Sequence, residues 1–140
     1  MTAEFEKAVA RAREARRSGR LSDALKDYSL AASLARDASK NDLLAFALRH
    51  LGDLQQELGN FMEADEVIVE AVALCRLLNE DHPLNLANAL RVHALVHEGL
   101  GETSRAIESW QEAHGLYTKS RVNEGVQECQ NHLNTLRSVC

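Results

Sequence analysis

Six histidines and three cysteines are the side chains of this 140-residue chain with the widest chemical reach. His93 and His97, in the string HALVH, stand at i and i+4, so on a helix both imidazoles share one face, as in a two-histidine metal site. The string lacks the glutamate of HExxH, no Asp or Glu sits at the spacing of a hydrolytic base, and Glu98 beside His97 does not supply one. Cys75, Cys129 and Cys140 are odd in number, widely spaced and without a CxxC, which suggests neither a disulfide framework nor a zinc site. Ser, His and Asp are present, yet no G-x-S-x-G elbow and no glycine-rich phosphate loop occurs. The residues therefore predict no catalytic group, no metal and no cofactor. Arg13, Arg16, Arg17 and Arg20 could hold an acidic peptide or a phosphate backbone. No aromatic residues interleave with them, as a single-strand nucleic-acid platform needs, and a solvated helix face is the simpler reading.

Composition bounds what can position such residues. A chain of this length fits one domain, residues 1–140, with a core of its own. Hydrophobic residues are 45% and charged residues 26%, too apolar for a disordered chain. One Pro, 4% aromatics and an excess of Ala, Leu, Glu and Arg favour helix over strand and predict an all-α protein. The net charge of −5 gives no general attraction to nucleic acid or to an anionic membrane. No segment reaches the roughly 18 apolar residues of a membrane span, and the first residues lack the apolar core of a signal peptide. With unpaired cysteines, a reducing cytoplasm is the expected location.

Laid against itself, the chain repeats. GRLSDALKDYSLAASLAR from Gly19, GNFMEADEVIVEAVALCR from Gly59 and GETSRAIESWQEAHGLYT from Gly101 align. Each Gly is followed by an Ala at +5 (Ala24, Ala64, Ala106), a bulky side chain four later (Tyr28, Ile68, Trp110) and another Ala three beyond (Ala31, Ala71, Ala113). Each Gly sits between two helical stretches, where a helix C-terminus calls for positive φ before the chain turns back. The small–large–small face lets two helices approach closely, and Leu48, Leu51 and Gly52, Leu90 and Ala94, and Ala8, Ala12 and Ala15 supply the facing stripe. His93 and His97 fall where such hairpins bury side chains against each other, a packing role. The spacing predicts helices at about 3–18, 21–36, 42–58, 61–78, 84–100, 103–118 and 121–138. Val126, Cys129, Leu133 and Leu136 give the last one apolar face, so it reads as a cap on the open end of the stack or as the first half of a fourth repeat.

The small residue in the first helix, the turn Gly, the Ala of the second helix, the large residue four on and the second Ala together resemble the tetratricopeptide repeat. HEAT repeats have a similar length, but the Gly-to-Ala spacing favours the tetratricopeptide pattern. The intervals between turn glycines are longer than that family's basic unit and are similar to the repeats of kinesin light chains, where an Asp-His-Pro turn opens the next helix as Asp81, His82 and Pro83 would here. The resemblance implies a right-handed α-solenoid of three hairpins, at about 3–38, 42–80 and 84–119, with a capping helix at 121–138.

It further implies that the first helix of each pair lines a concave groove for a protein or peptide partner, whose identity the sequence does not give. By register the groove residues are Glu6, Val9, Arg13, Arg16 and Arg17, then Phe46, Arg49, Asp53, Gln56 and Glu57, then Asn88, Arg91, Leu95 and Glu98. Val9, Phe46 and Leu95 would be apolar side chains facing solvent, while Arg49 and Arg91 would bind a carboxylate or backbone carbonyls, or pair with Asp53 and Glu98. Val9 and Arg13 stand where the chaperone-binding subtype of the family carries Lys and Asn, which speaks against that role. The function expected is a non-enzymatic adaptor. The alternatives are a self-associating module, a homodimer among its forms, and a regulatory part of a larger assembly.

Overall fold

The computed structural model describes residues 2–78 and 82–138. Within them the chain forms seven helices: α1 Thr2–Arg17, α2 Leu21–Asp37, α3 Asn41–Glu57, α4 Phe61–Leu78, α5 Pro83–Gly99, α6 Thr103–Ser120 and α7 Asn123–Ser138. No strand occurs among the described residues. Pairs α1–α2, α3–α4 and α5–α6 form the hairpins, each stacked on the next, and α7 follows on α6. Asp81 of the expected Asp-His-Pro turn lies outside the described residues. His82 does precede α5, and Pro83 opens it at the position where a missing N–H costs nothing.

The turns explain the regular stacking. Gly19, Gly59 and Gly101 have φ of 78°, 80° and 74°, the left-handed conformation the repeat pattern predicts. After each, an amide reaches back five residues to close the helix end: Arg20 N–H to Ala15 O (2.8 Å), Asn60 N–H to Gln55 O (2.8 Å) and Glu102 N–H to His97 O (2.8 Å). The same bond recurs at two turns that carry no glycine, Lys40 to Ala35 (2.9 Å) and Val122 to Tyr117 (3.0 Å). There Ser39 (56°) and Arg121 (59°) take the positive φ.

Burial follows the repeat. Ala24, Ala31, Ala64, Ile68, Ala71, Ala106, Trp110 and Ala113 are fully buried, and Tyr28 nearly so. Gly52 brings α3 onto α4 so closely that a Cβ there would meet the Ile68 Cβ at 3.4 Å. On α7, Cys129 and Leu133 are buried, and the Tyr117 ring lies where a Cβ on Gly125 would be, 2.5 Å away. Gly125, which has no place in the repeat pattern, is thus what lets α7 seat on α6. The other side of α7 carries exposed Gln127, Gln130, Asn131 and Asn134, bonded to one another along the helix. Among the described residues that side carries no apolar stripe.

Two expectations need correction here. Val9 does not face solvent: only 6% of it is exposed, because an apolar side chain beside Phe5, Ala8 and Ala12 joins them in the core. Arg91 does not pair with Glu98 but reaches α7, whose side chains repeat spacing could not place.

Candidate functional site

The expected groove residues come from α1, α3 and α5, and the structure divides them into two regions of different chemistry. In the first, Phe46 of α3 is the centre. Its ring takes the edge of Phe5 at 6.4 Å and lies 4.5 Å from the His50 ring, which stacks on Tyr28 at 5.1 Å and 7°. The guanidinium carbons of Arg13 and Arg49 stand 5.6 and 5.7 Å from the Phe46 centroid, within cation–π range. On one side of Phe46 opens a cleft of about 520 Å³, bordered by Leu43, Arg49, Cys75, Leu78 and His82. On the other is a shallower hollow of about 300 Å³ against Phe5, Val9 and Arg13. Leu43 and Phe46 border both, so the two make an apolar trough divided at Phe46, with an arginine at each side.

The charges of this region are unequally satisfied. Arg16 bonds to Asp53 (3.3 Å) and to Glu57, and Asp53 also accepts from Gln56 (2.9 Å). That pairing uses up the acids expected for Arg49. Arg49 forms no ion pair or hydrogen bond with a described residue, and burial lowers its pKa below the ordinary arginine value with only distant opposition, chiefly from Asp53. His50 is driven down to about 4, first by burial and then by the fields of Arg49 and Arg16. It is a neutral ring at physiological pH. Glu6 is exposed at the rim, and Arg17 pairs only with Glu14 on its own helix.

The second region is closed by its own hydrogen bonds. Asn88 accepts from the Tyr117 hydroxyl (2.7 Å), and Arg91 grips Glu128 of α7 through two bonds of 2.6 and 3.0 Å. Glu98 accepts from the Trp110 indole (2.6 Å) and lies 2.7 Å from His132 Nδ1 of α7, whose ring stacks on Trp110 at 4.2 Å. Leu95 is half-buried against the core. Burial alone would lower the Arg91 pKa, but the hydrogen bonds and charge of Glu128 outweigh it and raise it. Burial lifts Tyr117 to about 12, so its hydroxyl stays a donor. Glu128 and His132 were not among the expected site residues. Their i, i+4 spacing on α7 was the available signal, and nothing in it pointed to α5.

His93 and His97 do share a face, with rings stacked at 4.1 Å. Each meets a carboxylate that spacing within α5 did not supply: Asp65 of α4 lies 3.2 Å from His93, and Glu102 lies 2.9 Å from His97. His97 is buried, and burial lowers the pKa of His93, with His97 adding to the effect. Among the described residues no group of three or more His, Cys, Asp or Glu is arranged to hold a metal ion. Cys75 and Cys129 are buried free thiols, and Cys140 lies outside the described residues. No helix among them is long and apolar enough to cross a membrane.

The chain has no match among curated proteins. The family model of the tetratricopeptide repeat matches residues 43–119, more than half of the sequence and nearly all of the hairpins α3–α4 and α5–α6. With its hairpins, left-handed turn glycines and small–large–small seam, the chain belongs to the tetratricopeptide repeat family.

Proposed function

We propose that this chain is a non-catalytic adaptor domain, spanning residues 1–140 and closed by α7, that holds a segment of another protein on the face of α1 and α3. Tetratricopeptide repeats generally mediate protein–protein interaction, which supports the class of function. The observation that carries the finer reading is Arg49. It is a half-buried guanidinium with no acid of its own, beside an apolar trough centred on Phe46, whereas Arg16 and Arg91 are each neutralised within the fold. An unpaired charge in such a place costs free energy, and a partner's carboxylate would offset that cost. The segment captured would set an apolar side chain against Leu43 and Phe46 and an acidic group on Arg49, with Arg13 at the far side. Asn88, Arg91, Leu95 and Glu98 would serve this work by fixing α5 to its neighbours. The free buried thiols fit a reducing cytoplasm.

Selection from a displayed peptide library tests this. Peptides enriched by the wild-type domain should carry an acidic residue beside an apolar one, and should lose about tenfold or more in affinity on Phe46→Ala or Arg49→Ala. Enriched peptides that bind both variants as they bind the wild type would overturn the assignment. The alternative of self-association through the last helix gains no support, since α7 exposes no large apolar side chain among its described residues.

A further inference from the structure

On the side of the molecule away from that trough, α4 presents an apolar stripe with no cover. Met62, Val69, Ala73 and Leu77 recur at intervals that put them on one face of the helix, opposite the buried Ala64, Ile68, Ala71 and Cys75. Met62 is 72% exposed, Val69 49% and Leu77 82%. Long apolar side chains this bare, aligned along roughly 22 Å of helix, form a surface rather than scattered exposure. The charges around it are one-sided. Glu70 and Arg76 are consumed by bidentate pairs to Arg36 and Glu112. Glu63 and Glu66 are exposed and make no ion pair or hydrogen bond among the described residues. Among its own side chains α4 therefore offers a partner unmatched carboxylates and no unmatched cation.

We infer that the outer face of α4 is a second docking surface, and that it takes an amphipathic helix of basic character, with apolar side chains at i, i+3 or i+4, and i+7 flanked by Lys or Arg. Helix-on-helix packing suits a straight stripe of this length, and complementary charge along its edge sets the sign of the partner. A second copy of the chain fits poorly. Glu66 stands on the same face, four residues after Met62, so two α4 stripes packed on each other would bury both copies of it with no free cation of α4 to answer them. The one helix of net positive charge among the described residues, α1, has its apolar residues Phe5, Ala8, Val9 and Ala12 buried in its own fold.

The probe is a synthetic, fluorescently labelled helical peptide of about five turns, leucine on one face and lysine elsewhere, titrated by anisotropy beside a twin with glutamate for lysine. The basic peptide should bind in the micromolar range, and the acidic twin about tenfold more weakly or worse. Met62→Ser combined with Leu77→Ser should lose about tenfold, and Glu63→Gln with Glu66→Gln should weaken binding several-fold and flatten its salt dependence. Phe46→Ala should bind the basic peptide as the wild type does, which separates this surface from the α1–α3 trough. All four positions are exposed, so retained helical circular dichroism is expected of each variant. Absence of binding, equal binding of the two peptides, or an undiminished Met62→Ser, Leu77→Ser variant overturns the inference. So does a concentration-dependent dimer in sedimentation that the same double variant abolishes, which would make a second copy the occupant.

Discussion

The two halves of the expected groove are built from equivalent positions of one repeat and end in opposite states. Arg49 and Arg91 occupy the same register of α3 and α5, yet Arg91 is locked to Glu128 while Arg49 has no acid. The difference comes from the neighbour. After α5 and α6 the chain adds α7, which supplies Glu128 and His132, whereas α1 sends arginines toward α3, Arg13 to Phe46 and Arg16 to Asp53 and Glu57, and Arg16 takes the acid that Arg49 would use. A repeat thus fixes where side chains stand, and the adjoining repeat decides whether they are spent on the fold or left for a ligand.

The comparison breaks most severely at Trp110. It is fully buried, stacks on His132 and donates to Glu98, so Trp110→Ala should cost about 3–5 kcal/mol. In a solenoid each unit is held by its neighbours, so the loss should be local. Hydrogen exchange should show amides of α5 to α7 losing protection while α1 to α3 keep most of theirs. Equal loss at both ends would mean the halves are not separable.

Next in size is an acid effect confined to the open half. The folded pKa of His50, about 4, lies below its ordinary value of 6.5, so between those values the unfolded chain binds a proton that the folded one refuses. Stability should accordingly be intact above pH 6.5 and fall as the pH drops toward 4, by up to about 3 kcal/mol from this residue. Glu70, Glu102 and Glu112 are held below the ordinary carboxylate value by Arg36, His97 and Arg76 respectively, and add their own loss at the acid end. Burial lowers His93 as well, so the contribution of His50 is the difference between wild type and His50→Phe in urea unfolding at a series of pH values. Parallel pH profiles for the two proteins would show that His50 is not held neutral.

The arginines sharpen the contrast directly. Arg91→Ala leaves Glu128 half-buried and unpaired, and should lower stability by about 1–3 kcal/mol without altering peptide capture on α1 and α3. Arg49→Ala removes a charge that has no acid and only the Phe46 ring beside it, and should change stability by no more than about 1 kcal/mol while costing peptide affinity. Urea unfolding together with binding of library-selected peptides gives both readings. If the two variants behaved alike in both, register alone would govern these positions and the neighbouring helices would be irrelevant.

What the sequence disclosed follows the same division. Hairpins, turn glycines and the Ala24–Tyr28–Ala31 seam repeat, so alignment of the chain with itself exposes them, and the helix boundaries fall within about two residues of expectation. Pairings between helices do not repeat. Whether Asp53 answers Arg16 or Arg49, or Glu98 answers Arg91 or Trp110, depends on side chains brought together from distant positions, and no spacing records that. Val9 was misread for a related reason: its register matches Arg49 and Arg91, but on α1 that position is buried with Phe5, Ala8 and Ala12. Gly125 was passed over because its partner, the Tyr117 ring, is on the previous helix.

The smallest effect lies in the two turns that do without glycine. Ser39 joins the helices of the open half and Arg121 holds the cap, each at a positive φ that costs a residue with a Cβ roughly 1–2 kcal/mol and a glycine almost none. Part of that gain is returned, because glycine gives the unfolded chain more freedom to lose. Arg121→Gly and Ser39→Gly should each stabilise the protein by about 0.5–1 kcal/mol, seen as a rise of a few degrees in Tm. The two should differ in place: Arg121→Gly should slow hydrogen exchange in α7, and Ser39→Gly in α2 and α3. A fall in Tm for Arg121→Gly would mean that the arginine side chain itself secures the cap, and the closure of that half would then rest on the turn as well as on Glu128 and His132.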